Sequence, residues 1–496
     1  MLAADTKQYL YLDPGRLLAS ALSIWDPSVA GGTVTHQNIG YLFPQGPFYY
    51  ALEVWLRLSP WIAQRLWMAS LLFAAGAGVA FLCRIVGLST PGVMLAAFAY
   101  ELSPYSMQYI ERISAILLPY AALGWLLGLT ILALRRGGWR YPAIFAILAA
   151  AAGGTNATSI IFAGLAPVAW IIWAVFGSRE VSGREALKTT GRIALLTVAT
   201  ALWWAAGLRT EGAYGIDVLI YTETLPAIAS SSTAIEVLRG LGYWYFYGSD
   251  RLGPWLGAAV AYEERVGLLV TSYLLPSLGV ASAAFLRWRE RAYFVFITLV
   301  GLVFAVGTHP FDHPSLFGHG LKSFMTATTA GLALRSSDRA TPLVVLGLTV
   351  LLGAGLSALW SRLRLLGALA GALGLALVVA NAAPLLTGAA VARNFERRSH
   401  LPAYDYAAAR YLDSKGNTTR VLIEPGQSFA DYTYGDTVDP IWPGLLKRPS
   451  IQRQQLIDGS LATADLLGAF DRSIQQGTYQ RSTLAPMARL LGSVPA

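Results

Sequence analysis

The chain has 496 residues, 55% of them hydrophobic and 13% charged, with a mean hydropathy of +0.49. Soluble domains carry about 25% charged residues, so the composition excludes an ordinary soluble enzyme and indicates a mainly α, polytopic membrane protein. The formal net charge of +9 does not point to nucleic acid, because the cations fall in short clusters between apolar stretches; the single cysteine, Cys83, excludes a disulfide framework and a cysteine-based metal site.

Residues 1–62 precede the first apolar span and are expected to form an external region. They hold Asp5-Thr6-Lys7 and the aromatic, Pro-rich run from Tyr41 to Phe48. A carboxylate, a cation and such a loop just ahead of the membrane spans suit a polar, partly dry pocket at the membrane face. Met1–Ala4 is too short for a signal peptide, and a first helix is expected to be missing ahead of Asp5.

A transmembrane helix needs about 20 predominantly apolar residues. On that criterion spans are expected near 63–83, 92–103, 114–134, 141–153, 158–176, 193–208, 266–286, 292–307, 342–359 and 365–385, two of them short enough to be bent or re-entrant. Basic clusters occupy every second loop: Arg84; Arg135, Arg136 and Arg140; Arg179, Arg184, Lys188 and Arg192; Arg287, Arg289 and Arg291; Arg362 and Arg364. Short loops rich in Lys and Arg stay cytoplasmic. Segments 1–62, 104–113, 209–265, 308–341 and 386–496 then lie outside, around a transmembrane core at 63–385.

Polar chemistry concentrates in those external segments. Segment 209–265 interleaves Glu211, Asp217, Glu223, Glu236 and Arg239 with the run Tyr243–Tyr247. That run reads either as an interfacial aromatic belt or as a surface for stacking on a sugar or lipid. Segment 308–341 carries His309, Asp312, His313 and His319, then Arg335 and Arg339. The histidine spacing, broken by Pro310 and Pro314, fits no helix-borne metal motif. A satisfied loop or a proton-handling role is the first reading of these histidines; no cofactor is certain, and a divalent cation is the alternative. Arg335 and Arg339, four apart, would share a helix face and could hold phosphate oxygens together; pairing of Arg335 with Asp338 is the plainer alternative. Gly367, Gly371 and Gly374 have small-residue spacing for helix packing. Asn156-Ala157-Thr158 fits a glycosylation sequon but lies in a tight turn between spans. No phosphate-binding GxxxxGK[ST] loop occurs. Residues 386–496 are polar, with a helical pattern at Tyr404–Leu412 and a short strand at Arg420–Ile423, and read as a small external α/β region, a lid or acceptor platform.

Several of these runs, in collinear order, resemble the actinobacterial α-(1→3)-arabinofuranosyltransferase family of GT-C membrane enzymes. They are Asp5-Thr6-Lys7, Gly40–Gly46, Gln64–Trp67, Glu111 ahead of Pro119, Tyr221-Thr222-Glu223, Glu236–Gly240, Leu334–Leu343, Pro402–Tyr404 and Pro425–Tyr432. The family's first transmembrane helix and its long C-terminal carbohydrate-binding region have no counterpart in these residues. The resemblance implies transfer of arabinofuranose, with inversion, from a decaprenyl-phosphate donor to a glycan hydroxyl of the cell wall. The partners implied are the polyprenyl-phosphate sugar, the glycan acceptor and the lipid bilayer, with no nucleic acid, and the active site would face the outside of the plasma membrane. A sugar hydroxyl is a weak nucleophile, so a positioned carboxylate should contribute about 10²–10⁴-fold: Asp5 first, then Glu223 and Glu111. Fixed cations should stabilise the departing phosphate, with Lys7, Arg335 and Arg339 as candidates, and His319, Tyr41 and Arg112 as further substrate contacts. A transporter of lipid-linked sugars and a non-catalytic glycan-binding subunit are the alternatives. The first predicts inverted repeats and ionisable groups in mid-span, which are not evident.

Overall fold

The computed structural model describes residues 9–35, 38–110, 113–215, 217, 219, 223–250, 253–390, 401–416, 418–424, 430–432, 435–437, 441–452, 459–478 and 480–493. Asp5, Lys7, Glu111 and Arg112 lie outside them. Among the described residues, seven helices are long and apolar enough to cross a membrane: Pro60–Ile85, Ser114–Arg136, Ala157–Gly177, Gly183–Tyr214, Val266–Phe285, Ser337–Arg362 and Arg364–Asn381. Two shorter apolar helices, Arg140–Gly153 and Arg291–Val306, fall on the expected spans 141–153 and 292–307. The remaining expected span, 92–103, is the 12-residue helix Thr90–Glu101. It is too short to cross a bilayer of about 30 Å at 1.5 Å per residue. The chain is a polytopic helical membrane protein.

The residues form two compact units, 68–202 with 223–393, and 1–67 with 203–222 and 394–496. In the first, the helix Thr341–Arg362 is central. Every residue from Thr341 to Ala354 is buried, as expected of a helix that is apolar all round. Backbones approach closely where glycines meet. A Cβ on Gly92 would stand 2.3 Å from the Gly353 carbonyl oxygen, and one on Gly353 would stand 2.5 Å from that of Gly92. This crossing brings Thr90–Glu101 against the central helix by small-residue packing. Gly124 meets the Gly78 backbone in the same way, at 2.6 Å. In the last span Gly367 packs on the Trp360 backbone and Gly374 on Leu95.

The second unit is partly polar. Asp13 accepts a hydrogen bond from the Arg16 backbone N–H at 3.0 Å and caps the helix Pro14–Ala21. A parallel strand pair, Val421–Ile423 with Ser450–Gln452, is backed by the helices Leu461–Gln475 and Arg481–Leu490 through Ile451, Leu467, Phe470 and Leu491. The segment around Val29 adds to the free edge of Ser450, whose N–H donates to the Ser28 carbonyl at 2.9 Å. The Arg16 guanidinium donates to the Leu446 carbonyl. Residues far apart in sequence thus fold as one piece.

Candidate active site

The site is built where two spans begin. Asn156 caps the helix Ala157–Ile172, its side-chain oxygen accepting from the Ser159 N–H at 3.0 Å. The same oxygen accepts a hydrogen bond from Nη1 of Arg339 at 2.7 Å. Arg339 lies on the 3-10 turn Ser337–Ala340, which runs into Thr341–Arg362 through Pro342. Two helix N-termini, each carrying partial positive charge, therefore flank one guanidinium.

Glu223 joins this end of the core. Its Oε1 accepts a hydrogen bond from the Ser336 hydroxyl at 2.7 Å and stands 3.9 Å from Nη2 of Arg339. Its Oε2 is 3.9 Å from Nη2 of Arg335, and the Arg335 Nε donates to the Glu223 carbonyl at 2.9 Å. Arg335 also donates to the Leu332 carbonyl at 3.0 Å. Burial works to raise the Glu223 pKa, but Arg339, the Ser336 hydroxyl and Arg335 outweigh it, and the carboxyl is held below the usual carboxylate range. Arg335 and Arg339 do not share a helix face as expected. Arg335 follows the short helix Thr329–Ala333 and Arg339 sits on the 3-10 turn. They converge because the turn between them folds around Glu223.

Around the clasp lie Asp338, which the sequence offered only as a partner for Arg335, and two tyrosines that it did not single out. Asp338 is 4% exposed, and its Oδ1 has no hydrogen-bond partner among the described residues. Tyr105 and Tyr109, both fully buried on the short helix Pro104–Tyr109, lie within electrostatic range of Asp338 and Arg339. Burial first, and then neighbouring groups including Asp338, raise both phenols well above their ordinary value, so both remain protonated hydrogen-bond donors. Asn156 was visible only as a sequon; its capping role is the signal that could have found it.

The remaining expected residues are placed separately. His319 is exposed on the amphipathic helix Leu316–Ala327. The other face of that helix, with Phe162, Phe304 and Leu334, lines an apolar cavity of about 420 Å³. Tyr41 is buried in the second unit, on the turn Asn38–Leu42, with its carbonyl close against Gly46. The structure thus brings together Glu223, Arg335 and Arg339 and adds Asn156, Ser336 and Asp338. The arrangement can hold an oxyanion: the Arg339 guanidinium donates to Asn156 and stands off Glu223 at 3.9 Å, which leaves N–H groups to an incoming phosphate oxygen.

The family model for the alpha-(1->3)-arabinofuranosyltransferase, N-terminal GT-C domain, matches residues 1–492. The alpha-(1->3)-arabinofuranosyltransferase of Mycobacterium tuberculosis is 28% identical over 461 residues, covering 88% of this chain and 32% of that protein. Its counterpart from Mycolicibacterium smegmatis is 26% identical, covering 88% and 31%. The single-particle cryo-EM structure of arabinofuranosyltransferase AftD from mycobacteria has a TM-score of 0.77 at 24% identity, over 99% of this chain and 33% of that one. That likeness shows the fold. The chain spans about a third of the length of the curated relatives it matches.

Proposed function

The chain belongs to the alpha-(1->3)-arabinofuranosyltransferase family, N-terminal GT-C domain, and from that premise we propose that it transfers arabinofuranose from a polyprenyl-phosphate donor to a glycan hydroxyl. The observation that carries this reading is the clasp of Arg335 and Arg339 around Glu223 at the start of two spans. A lipid-phosphate leaving group gains charge as the glycosidic bond breaks. Guanidinium groups fixed in advance stabilise that charge without reorganising, and Arg339 is fixed by Asn156.

Glu223 orients these cations. A carboxylate held below its ordinary pKa by two arginines is a weak proton acceptor, so the acceptor hydroxyl loses its proton to another group. Asp5, with Lys7 two residues on, is assigned that role, and Arg112 and His319 further substrate contacts. Attack from the face opposite the departing phosphate inverts the anomeric centre.

The test is transfer from a polyprenyl-phosphate arabinofuranose to an arabino-oligosaccharide in membranes holding the chain, with the product anomer read by NMR. Arg339→Ala should lower turnover at limiting donor by about 10²-fold, the size of effect seen when one charge-stabilising donor is lost. Unchanged turnover in this variant and in Arg335→Ala would reduce the clasp to a structural anchor.

A further inference from the structure

The apolar cavity beside the clasp is not used by the phosphate chemistry, yet three of its walls end in the clasp. Phe162 lies on Ala157–Ile172, about 9 Å along the helix axis from Asn156, the cap that accepts from Arg339. Phe304 lies on Arg291–Val306, whose C-cap Gly307 packs so closely on the Ser337 hydroxyl that a Cβ there would collide with it. Leu334 immediately precedes Arg335, and the Thr158 hydroxyl donates to the Ala333 carbonyl at 2.9 Å, which ties that turn to the first wall.

The fourth wall is the helix Leu316–Ala327. Ser315 caps it, its hydroxyl oxygen accepting from the Gly318 N–H at 3.1 Å. Glycines seat the helix at both ends: a Cβ on Gly318 would stand 2.8 Å from the Gly307 carbonyl oxygen, and Gly331 lies against the Phe324 carbonyl. Between those seats Phe317, Gly320, Leu321 and Phe324 line the cavity. A Cβ on Gly320 would meet nothing within 4 Å among the described residues, so the space continues up to the helix backbone. Phe, Leu, Met and Gly alone form the lining.

We propose that this cavity takes the phosphate-proximal isoprene units of the donor, with Leu316–Ala327 as its roof. This rests on the transfer reading. A phosphate held by Arg335 and Arg339 leaves its tail beside Leu334 and Phe162. In a polyprenyl phosphate the hydrocarbon begins at the ester oxygen, which matches a lining that turns apolar at the residue before Arg335. A bilayer phospholipid would put glycerol and ester carbonyls at that place, and burying polar groups without hydrogen-bond partners is costly. The glycan acceptor is polar throughout and is excluded on the same ground. At about 420 Å³ the cavity lies in the range of about 300–1,000 Å³ typical of small-molecule sites. That holds the start of a long chain, and the rest runs into the bilayer. The protein therefore reads the beginning of the isoprenoid and not its length.

Two variants and two measurements test it. Gly320→Leu fills the cavity from a helical position with open space above it, and leucine is the better helix former, so the variant should fold. Phe324→Ala takes down one wall instead. In the transfer assay each should raise the donor KM about tenfold, what losing the burial of about two CH₂ groups is worth, with the acceptor KM unchanged. An unchanged donor KM in both variants overturns the proposal. Binding of farnesyl phosphate to detergent-solubilised protein, followed by native mass spectrometry, needs no turnover. Wild-type protein should bind it, and both variants should weaken it about tenfold. That pattern in a wild type that transfers nothing would keep the cavity and sink the transfer reading. Transfer by a wild type whose farnesyl phosphate binding is untouched in both variants would sink the cavity alone. Phosphatidic acid that binds more tightly than farnesyl phosphate and is lost in Gly320→Leu would make the occupant a bilayer lipid and overturn the assignment.

Discussion

At the scale of single residues, Glu223 is the pivot. Its folded-state pKa lies below the ordinary value, so its clasp contributes stability that is complete above the unfolded-state pKa of about 4.3 and is lost as pH falls through the folded value. Unfolding in detergent, followed from about pH 6 downward, should therefore show a loss of stability beginning below about pH 5 that Glu223→Gln lacks. The variant should also be less stable than the parent at neutral pH, because Arg335, 6% exposed, and Arg339 would lose the charge of the Glu223 carboxylate. An identical pH response in the two proteins would remove Glu223 from the account. Four-residue spacing drew attention to Arg335 and Arg339, and the family resemblance to Glu223. That they meet was not legible, since Glu223 is more than a hundred positions from the arginines and the join is made by a Ser336 hydroxyl and a backbone turn. Asp338 was legible only as a possible partner of Arg335, because burial, which gives it its character, is a property of the packed state.

At the scale of elements, Arg239 decides how the loop ahead of the span Val266–Phe285 is held to the spans. It is 4% exposed and fully engaged: Nε donates to the Ser272 hydroxyl at 3.0 Å, Nη2 to the Tyr262 carbonyl at 2.8 Å, and Nη1 to Glu236 at 2.6 Å. The Tyr247 hydroxyl closes the set by donating to the other Glu236 oxygen at 2.5 Å. The guanidinium also lies 4.7 Å from the Tyr273 ring centroid, on the span Val266–Phe285. Arg239→Ala should thus cost about 3–5 kcal/mol, the range for breaking a buried pair. It would strip partners from Glu236, Ser272 and Tyr262 together and loosen the loop that carries Tyr243. Differential scanning of detergent-solubilised protein should show this as a drop in midpoint that Arg265→Ala does not share. Apolar runs reveal spans well because every residue contributes to the signal, which is why helix positions agreed along the chain. The helix Thr90–Glu101 shows the limit: its sequence is as apolar as a span, but its length is set by the turn at Leu102–Ser103.

At the scale of the whole chain, the question is which side the clasp faces. Two spans answer it in the same sense. Ala157–Gly177 begins beside Asn156 in the clasp and ends before Glu180, which pairs with Arg135 at 2.6 Å and Arg289 at 4.0 Å. Ser337–Arg362 begins with the turn holding Arg339 and ends at Arg362 and Arg364. At 1.5 Å per residue they cover about 32 and 39 Å, enough to cross a hydrocarbon core of about 30 Å. The clasp and the arginine-rich loops thus stand at opposite membrane faces, and three of those loops are tied together by Glu180. If short basic loops stay cytoplasmic, the clasp opens to the outside. Cys83 is buried, so it should give little background to an impermeant thiol reagent on intact cells. Ser249→Cys and Asp312→Cys, at exposed positions on the clasp side, should label. Lys188→Cys and Arg289→Cys should label only after the cells are opened. The reverse pattern would place the arginines outside and the transfer site in the cytoplasm. A lipid-linked donor would then be met on the inner leaflet, and the glycan acceptor would have to be a cytoplasmic one.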